Sequence, residues 1–341
     1  MTRREADGET RMRLLCVAGL CVLAMTAARV WAEDATGAGA THIAKWKGDK
    51  QAAFLLMFDD SAPSHVKNVV PQLKKRGLVG TFYVNPGKGG WPAFREAWEK
   101  EFPAAGMVYA NHTMTHKGAR DAADLEQEIV QCNEVILRVF PGRNPRLISF
   151  GIPGVPQGAW NVTNDELSQV LAKHHLVLRP PFDGHGAMIH AKTADDMMRL
   201  ADRALAQGSL EYIIYHGVGG DWIVTPLPEF TAFLDKLAAK RDQLWITDPV
   251  SAHKYETERS TAAVRTLETG QKQVRVAVTT KADPQLYDLP LTLITPVPAA
   301  WKTCTIAQGG GTATVPVSAG LVRYEALPGG DPVTITPAAG K

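Results

Sequence analysis

AAFLLMFDDSAPSHVKNVVPQLKKRGLVGTFYVN, residues 52–85, decides the fold. Its first seven residues are an uninterrupted apolar run, of a length that suits a strand. HVKNVVPQLKKRG follows Pro63-Ser64, repeats apolar residues at helical spacing and stops at Gly77, a usual C-terminal glycine. GTFYVN then begins at Gly80, rich in the aromatic and β-branched residues that favour strands. Strand, helix and strand in immediate succession are one βα unit and the start of the next.

Working outward, the same alternation continues to about residue 257. Further strands are expected in MVYANH ending at His112, RLISFGI from Arg146, LVLRPP from Leu176, LEYIIYH ending at His216 and LWITD from Leu244. Seven strands with amphipathic partners predict a (β/α) barrel, whose chemistry gathers at the C-terminal ends of its strands. After Ser260 the pattern changes to VRVAVTT, LTLITPV, TATVPVS, LVRYEAL and PVTITP, short alternating runs separated by Gly, Pro and Asp. The expected organisation is therefore a barrel over residues 33–258 and a small all-β, sandwich-like domain over 268–341. No internal repeat of the length that builds solenoids is present.

The first thirty-two residues read differently. Arg3, Arg4, Arg11 and Arg13 precede the uncharged run LLCVAGLCVLAMTAA, and Val30-Trp31-Ala32 has a small-x-small cleavage pattern. Residues 1–32 are expected to be a signal peptide, which places the protein outside the cytoplasm, secreted or periplasmic. The run from Leu14 to Ala28 is shorter than the roughly 20 residues of a spanning helix, so no stable membrane span is expected once the signal is removed. The segment's five arginines and three acids account for the whole formal charge of +2. Nothing in the remaining balance points to nucleic acid or an anionic membrane. Cys16 and Cys21 leave with the signal, while Cys132 and Cys304 lie far apart without metal-like spacing and read as structural, bridged or not.

Three strand ends carry groups with chemistry. Asp59 and Asp60 follow the first strand, and adjacent residues leaving a strand point to different sides, so one carboxylate can ligate while the other works. Taken alone, Asp-Asp-Ser is also a good turn or helix cap. ANHTMTH sets His112 and His116 four apart, a spacing that brings both imidazoles to one side if the segment makes a helical turn. His216 ends a strand before the open turn GVGG, where a lone histidine is more often structural. Three separate elements delivering titratable or ligating groups to one barrel end favour a site over coincidence.

On these residues the chain resembles the polysaccharide deacetylase family of carbohydrate esterases (family 4). That family's motifs run T-F-D-D, H-[ST]-x-x-H, R-x-P-Y and a late strand ending in His, and the likeness covers about residues 50–257. The resemblance implies that the barrel is a distorted (β/α) barrel, with Asp59 as general base, Asp60, His112 and His116 as ligands of one divalent metal, and His216 as general acid. Metal-held water would then attack an acetyl carbonyl on an acetylated polysaccharide or oligosaccharide, N-acetyl on an amino-sugar polymer in the first instance. One carboxylate and two neutral imidazoles suit zinc, with cobalt or nickel as alternatives, and leave coordination positions open.

The departures are informative. Ser61 replaces the family's usual glycine, and Met57 stands where threonine is commoner. SFGIPG keeps Pro153, a substrate-side residue by resemblance, but has Gly151 where the family has an arginine that steadies the base. The next strand carries LRPPF, so Arg179 is expected to reach the same rim and hydrogen-bond Asp59 bidentately, against the plainer reading of a linker arginine before two prolines. Trp222 and His65 are the further substrate-binding candidates; Trp91, Trp160, Asp183 and His185 are lesser ones, aromatic rings being as well suited to packing as to sugar faces. Two readings stay open beside the deacetylase: an O-acetyl esterase or other non-peptide C–N amidase on a cell-wall component, and, in another class, an inactive carbohydrate-binding protein.

Overall fold

The computed structural model describes residues 40–180 and 192–338, all within one compact unit, Gly37–Lys341. The expected signal peptide, Asp183 and His185 lie outside the described residues. No helix among the described residues is long and apolar enough to cross a membrane.

A two-residue strand β1 (His42–Ile43) precedes the seven expected strands, which form in order: β2 (Ala52–Asp59), β3 (Thr81–Val84), β4 (Val108–Asn111), β5 (Ile148–Phe150), β6 (Leu176–Leu178), β7 (Leu210–Tyr215) and β8 (Leu244–Thr247). β2 to β8 make one parallel sheet in the order β6-β5-β4-β3-β2-β7, with β8 also on β2. Every residue of β2 is buried: Phe54, Leu56 and Phe58 belong to the core shared with the surrounding helices, and Leu55 and Met57 pack with Tyr83, Ala110, Tyr212 and Ile214 of the neighbouring strands. β2 divides one of its edges: Ala52–Leu55 pair with β8 and Met57–Asp59 with β3. β6 and β8 are not paired with each other, so the ring is an open, distorted barrel. Because the strands are parallel, the ends of β2, β4, β5, β6 and β7 all face one rim.

The helices behave as their sequence signals demand. A wide turn over His65–Val69 runs into the helix Val70–Arg76, which ends on Gly77 in the left-handed conformation at φ 60°. Asp121 caps the helix Ala122–Val139 through the Asp124 N–H, and Thr163 with Glu166 forms a capping box on Asn164–Lys173.

Beyond the helix Pro249–Thr261 come β9 (Ala263–Thr269), β10 (Val274–Thr279), β11 (Leu291–Pro296), β12 (Thr303–Gln308), β13 (Gly311–Ser318), β14 (Leu321–Ala326) and β15 (Val333–Pro337). They are antiparallel in the order β1-β11-β14-β13-β12-β15-β10-β9. β13 pairs with β12 through Pro316 and with β14 at Val317–Ser318, which folds the array over a core of its own. That core includes Val274, Leu291, Cys304, Val322 and Ile335, and Tyr255 from the preceding helix belongs to it. β1, from the stretch expected in the barrel, adds an edge to this array, and β9 starts ahead of the expected boundary. Cys132 and Cys304 are both buried and neither is in a disulfide.

Candidate metal centre

β2 delivers the acidic pair with different surroundings. Asp59 is the last strand residue and is 2% exposed. Asp60 and Ser61 then turn through the left-handed region, at φ 75° and 49°. A side chain at Ser61 is strained there, but its Oγ accepts the Asn85 N–H at 2.9 Å and offsets part of that strain. The turn separates the carboxylates: Asp59 faces Arg179, and Asp60 faces the histidine pair.

His112 and His116 do converge, with ring centroids 5.0 Å apart, but no helical turn brings them together. They sit on a loop after β4 in which Thr113 and His116 adopt positive φ, at 65° and 58°. Side chains fold this loop. Asn111 Oδ1 accepts the Thr113 N–H, and Thr113 Oγ1 accepts the His116 N–H. The buried Glu128 carboxylate takes the Thr115 N–H and Oγ–H, tying the loop to the helix Ala122–Val139. Asn85 donates to the carbonyls of His112 and Thr113. Sequence reasoning missed Asn85 and Glu128; Asn85 was accessible as the polar end of GTFYVN, whereas Glu128 sits mid-helix with no signal.

The donor set fits a divalent cation. One ligand atom each from Asp60, His112 and His116 lie within 4.8 Å of one another. His112 Nδ1 is 2.8 Å from the Gly151 carbonyl, an acceptor, so Nδ1 carries the proton and Nε2 presents its lone pair. That Nε2 is 3.6 Å from Asp60 Oδ1, and His116 Nε2 is 3.1 Å from the same oxygen. Asp60 Oδ1 is buried and has no hydrogen-bond partner among the described residues. The His112 Nε2 lone pair, the His116 Nε2 atom and a buried anionic oxygen facing one point are what a cation satisfies.

The electrostatics agree. Burial pushes the Asp59 carboxyl up, but the Arg179 guanidinium, His112 and His216 together outweigh it and leave it below the usual range. Asp60 is likewise net lowered against its burial, by His116, His112 and His216. Burial brings His112 down to about 4, so the imidazole is neutral as a ligand must be. His216, 8% exposed, is also lowered by burial, with Asp59 and Asp60 opposing. Its Nε2 is 3.9 Å from Asp60 Oδ2.

Arg179 comes off β6 and reaches Asp59: Nη1 donates to Oδ1 at 2.7 Å and to Oδ2 at 2.8 Å. Both oxygens of the Asp59 carboxylate are thus engaged by the guanidinium. The guanidinium lies over the Tyr83 ring, 4.8 Å from its centroid. Gly151 explains the route. A Cβ there would sit 3.1 Å from Arg179 Cζ and Nε and 2.8 Å from Tyr83 Cδ1. The missing side chain at Gly151 is thus what makes room for Arg179.

The substrate-side candidates divide. Trp222 is 52% exposed beside the site, its ring edge-on to His216 at 4.4 Å between centroids. His65 is a correction: it is fully buried among Phe58, Phe82 and Trp98, and its Nε2 meets the His216 carbonyl at 2.6 Å. Burial lowers it to about 4, so it is a neutral core histidine supporting the His216 strand end. Pro153 is buried, and Trp91 is buried and stacked on Trp98. Trp160 is partly buried and packs on the barrel core.

Residues 47–177 match the polysaccharide deacetylase family. A gellan lyase from Bacillus sp. is 21% identical over 308 residues, 80% of this chain; the chain spans 12% of that protein's length. Among solved structures, a family 4 carbohydrate esterase from Streptomyces lividans in complex with acetate is 22% identical, with a TM-score of 0.38 over 57% of this chain and 92% of that one. The polysaccharide deacetylase Bc1974 from Bacillus cereus is 17% identical, with a TM-score of 0.36 over 58% and 91%. A family 4 pseudoenzyme from Bacillus anthracis is 13% identical, with a TM-score of 0.39 over 57% and 67%.

Proposed function

We propose that this chain, matched over residues 47–177 by the polysaccharide deacetylase family, is an exported metal-dependent hydrolase that removes N-acetyl groups from an amino-sugar polymer. The observation that carries the reading is the convergence of Asp60, His112 and His116 within 4.8 Å, beside an Asp59 held by Arg179. Three ligands from one carboxylate and two imidazoles suit zinc, with positions left open. When bound, the metal supplies an acidified water and polarises a carbonyl.

The chain's own groups do the rest. Asp59 is ionised through neutral pH and accepts a proton as the tetrahedral species forms. Arg179 holds that carboxylate's orientation through both oxygens. His216, from the end of the neighbouring strand β7, gives a proton to the departing amine, and its lowered pKa makes it a stronger acid once charged. The exposed Trp222 face offers a surface for a sugar ring. Export rests on the arginine-flanked apolar run before Ala32.

The test is metal analysis of the purified protein together with acetate release from chitooligosaccharides, acetylated xylan and peptidoglycan fragments. About one zinc per chain and acetate from the amino-sugar substrates are expected. Acetate from xylan alone would move the reading to an O-acetyl esterase; metal-free protein that releases nothing would end it.

A further inference from the structure

We infer that Trp222 is a positioning residue for the metal-binding carboxylate of Asp60, separate from any sugar contact; this rests on the proposed reading of the site. The indole Nε1–H donates to Asp60 Oδ2 at 3.1 Å. Oδ1 of the same carboxylate is the buried, unpartnered oxygen facing the Nε2 atoms of His112 and His116. The two oxygens are thereby divided, one fixed by the indole and one left for a cation. Asp60 sits in a left-handed turn just past the end of β2, so no strand pairing sets its carboxylate angle. The indole N–H suits the task because it only donates, carries no charge and does not ligate metal.

The loop that presents Trp222 is built for direction. Gly217 N–H donates to the Trp222 carbonyl, Thr225 N–H to Gly217 and Gly219 N–H to Thr225, each at 2.9 Å. A Cβ on Gly217 would lie 2.0 Å from the Gly220 oxygen, so the turn admits only glycine. Asp221 and Ile223, on either side of Trp222, hold positive φ at 65° and 46°. For a β-branched residue that is a strained conformation, kept only where the surroundings over-determine it. Asp221 Oδ2 accepts the Ser64 N–H at 2.6 Å, docking the loop on the segment that leads out of Asp60. Burial does not explain this arrangement, since half of Trp222 is open to solvent. A directed hydrogen bond to Asp60 does.

The test uses the full chain, stripped with chelator and titrated with zinc alone by calorimetry. Trp222→Phe keeps a ring against His216 and loses the N–H; Trp222→Ala loses both. Trp222→Phe is expected to bind zinc about ten- to a hundredfold more weakly, as loss of such an outer partner typically does. Trp222→Ala is expected to match it, and the metal-free melting temperatures to stay at the wild-type value. Zinc is also expected to change wild-type tryptophan emission, with that change lost in Trp222→Phe. Wild-type affinity and an unchanged zinc response in Trp222→Phe would overturn the inference while leaving the metal site standing. Weakening seen only in Trp222→Ala would assign the effect to the ring and overturn it too. A wild-type chain that takes up no zinc would remove the proposed function and this inference together.

Discussion

Replacing Arg179 with methionine removes the cation from a buried pair whose members are 6% and 3% exposed by side chain. Burial is the largest influence on Asp59 and raises its pKa; Arg179 is the first of the groups that oppose it. An opposite charge at such range lowers a carboxylate pKa by about 1–3, so its removal should raise Asp59 by a similar amount. The sign follows. In the wild type the folded pKa is below the unfolded one, so Asp59 contributes stability above its unfolded pKa that is lost as pH falls through the folded value. In the variant that contribution shrinks or reverses. Breaking a buried pair costs about 3–5 kcal/mol, and a carboxyl that takes up a proton instead limits the loss, each tenfold change in proton affinity being worth about 1.4 kcal/mol. The assay is acetate release against pH in zinc-loaded enzyme, with metal content and melting temperature measured beside it. The acidic limb of kcat/KM is expected to move up by about 1–3 on the pH axis, with metal retained. Lysine should rescue in part, since a compact ammonium lacks the planar guanidinium that stacks on Tyr83. An Arg179→Met enzyme with unchanged rate and unchanged acidic limb would make Arg179 structural.

Three further outcomes are expected. Asp59→Asn should keep its zinc and lose about 10²–10⁴ in acetate release, because it removes the base and no ligand; metal-loaded variant turning over at the wild-type rate would reject that role. The His112→Ala, His116→Ala double variant should lose its metal by elemental analysis, two of three ligand atoms being gone; unchanged metal content would place the ion elsewhere. Glu258, 1% exposed where the helix Pro249–Thr261 meets the antiparallel array, accepts the Leu289 N–H and is pushed by burial up to about 7. The folded chain then holds a proton that the unfolded chain releases, so this group's contribution to stability falls as pH rises from the ordinary glutamate pKa through 7. Melting temperatures across pH 5–8 should show that slope in the wild type and lose it in Glu258→Gln; parallel curves would place the carboxyl in contact with water.

What the sequence made legible follows from what is local. The seven parallel strands show as apolar runs because their burial is decided by their own side chains, β2 being buried at every residue. β9 and β12 were not anticipated: β9 is exposed at nearly every position, and β12 is a short run whose order comes from pairing with β13 and β15. The histidine spacing pointed to a pair that does converge, but a loop shaped by Asn111, Thr113 and Glu128 brings the rings together where a helical turn was expected. His65 misled because a polar residue near the start of a helix looks solvent-facing, and only the tertiary fold supplies the His216 carbonyl that lets it be buried. Gly151 was readable as a missing arginine but not as the gap through which another arginine passes. The bonds that set the site, Arg179 to Asp59 and Trp222 to Asp60, join residues 120 and 162 positions apart. Side chains that far apart leave no periodic trace; parallel strand order alone predicts that their ends share a rim, and packing decides which of them touch.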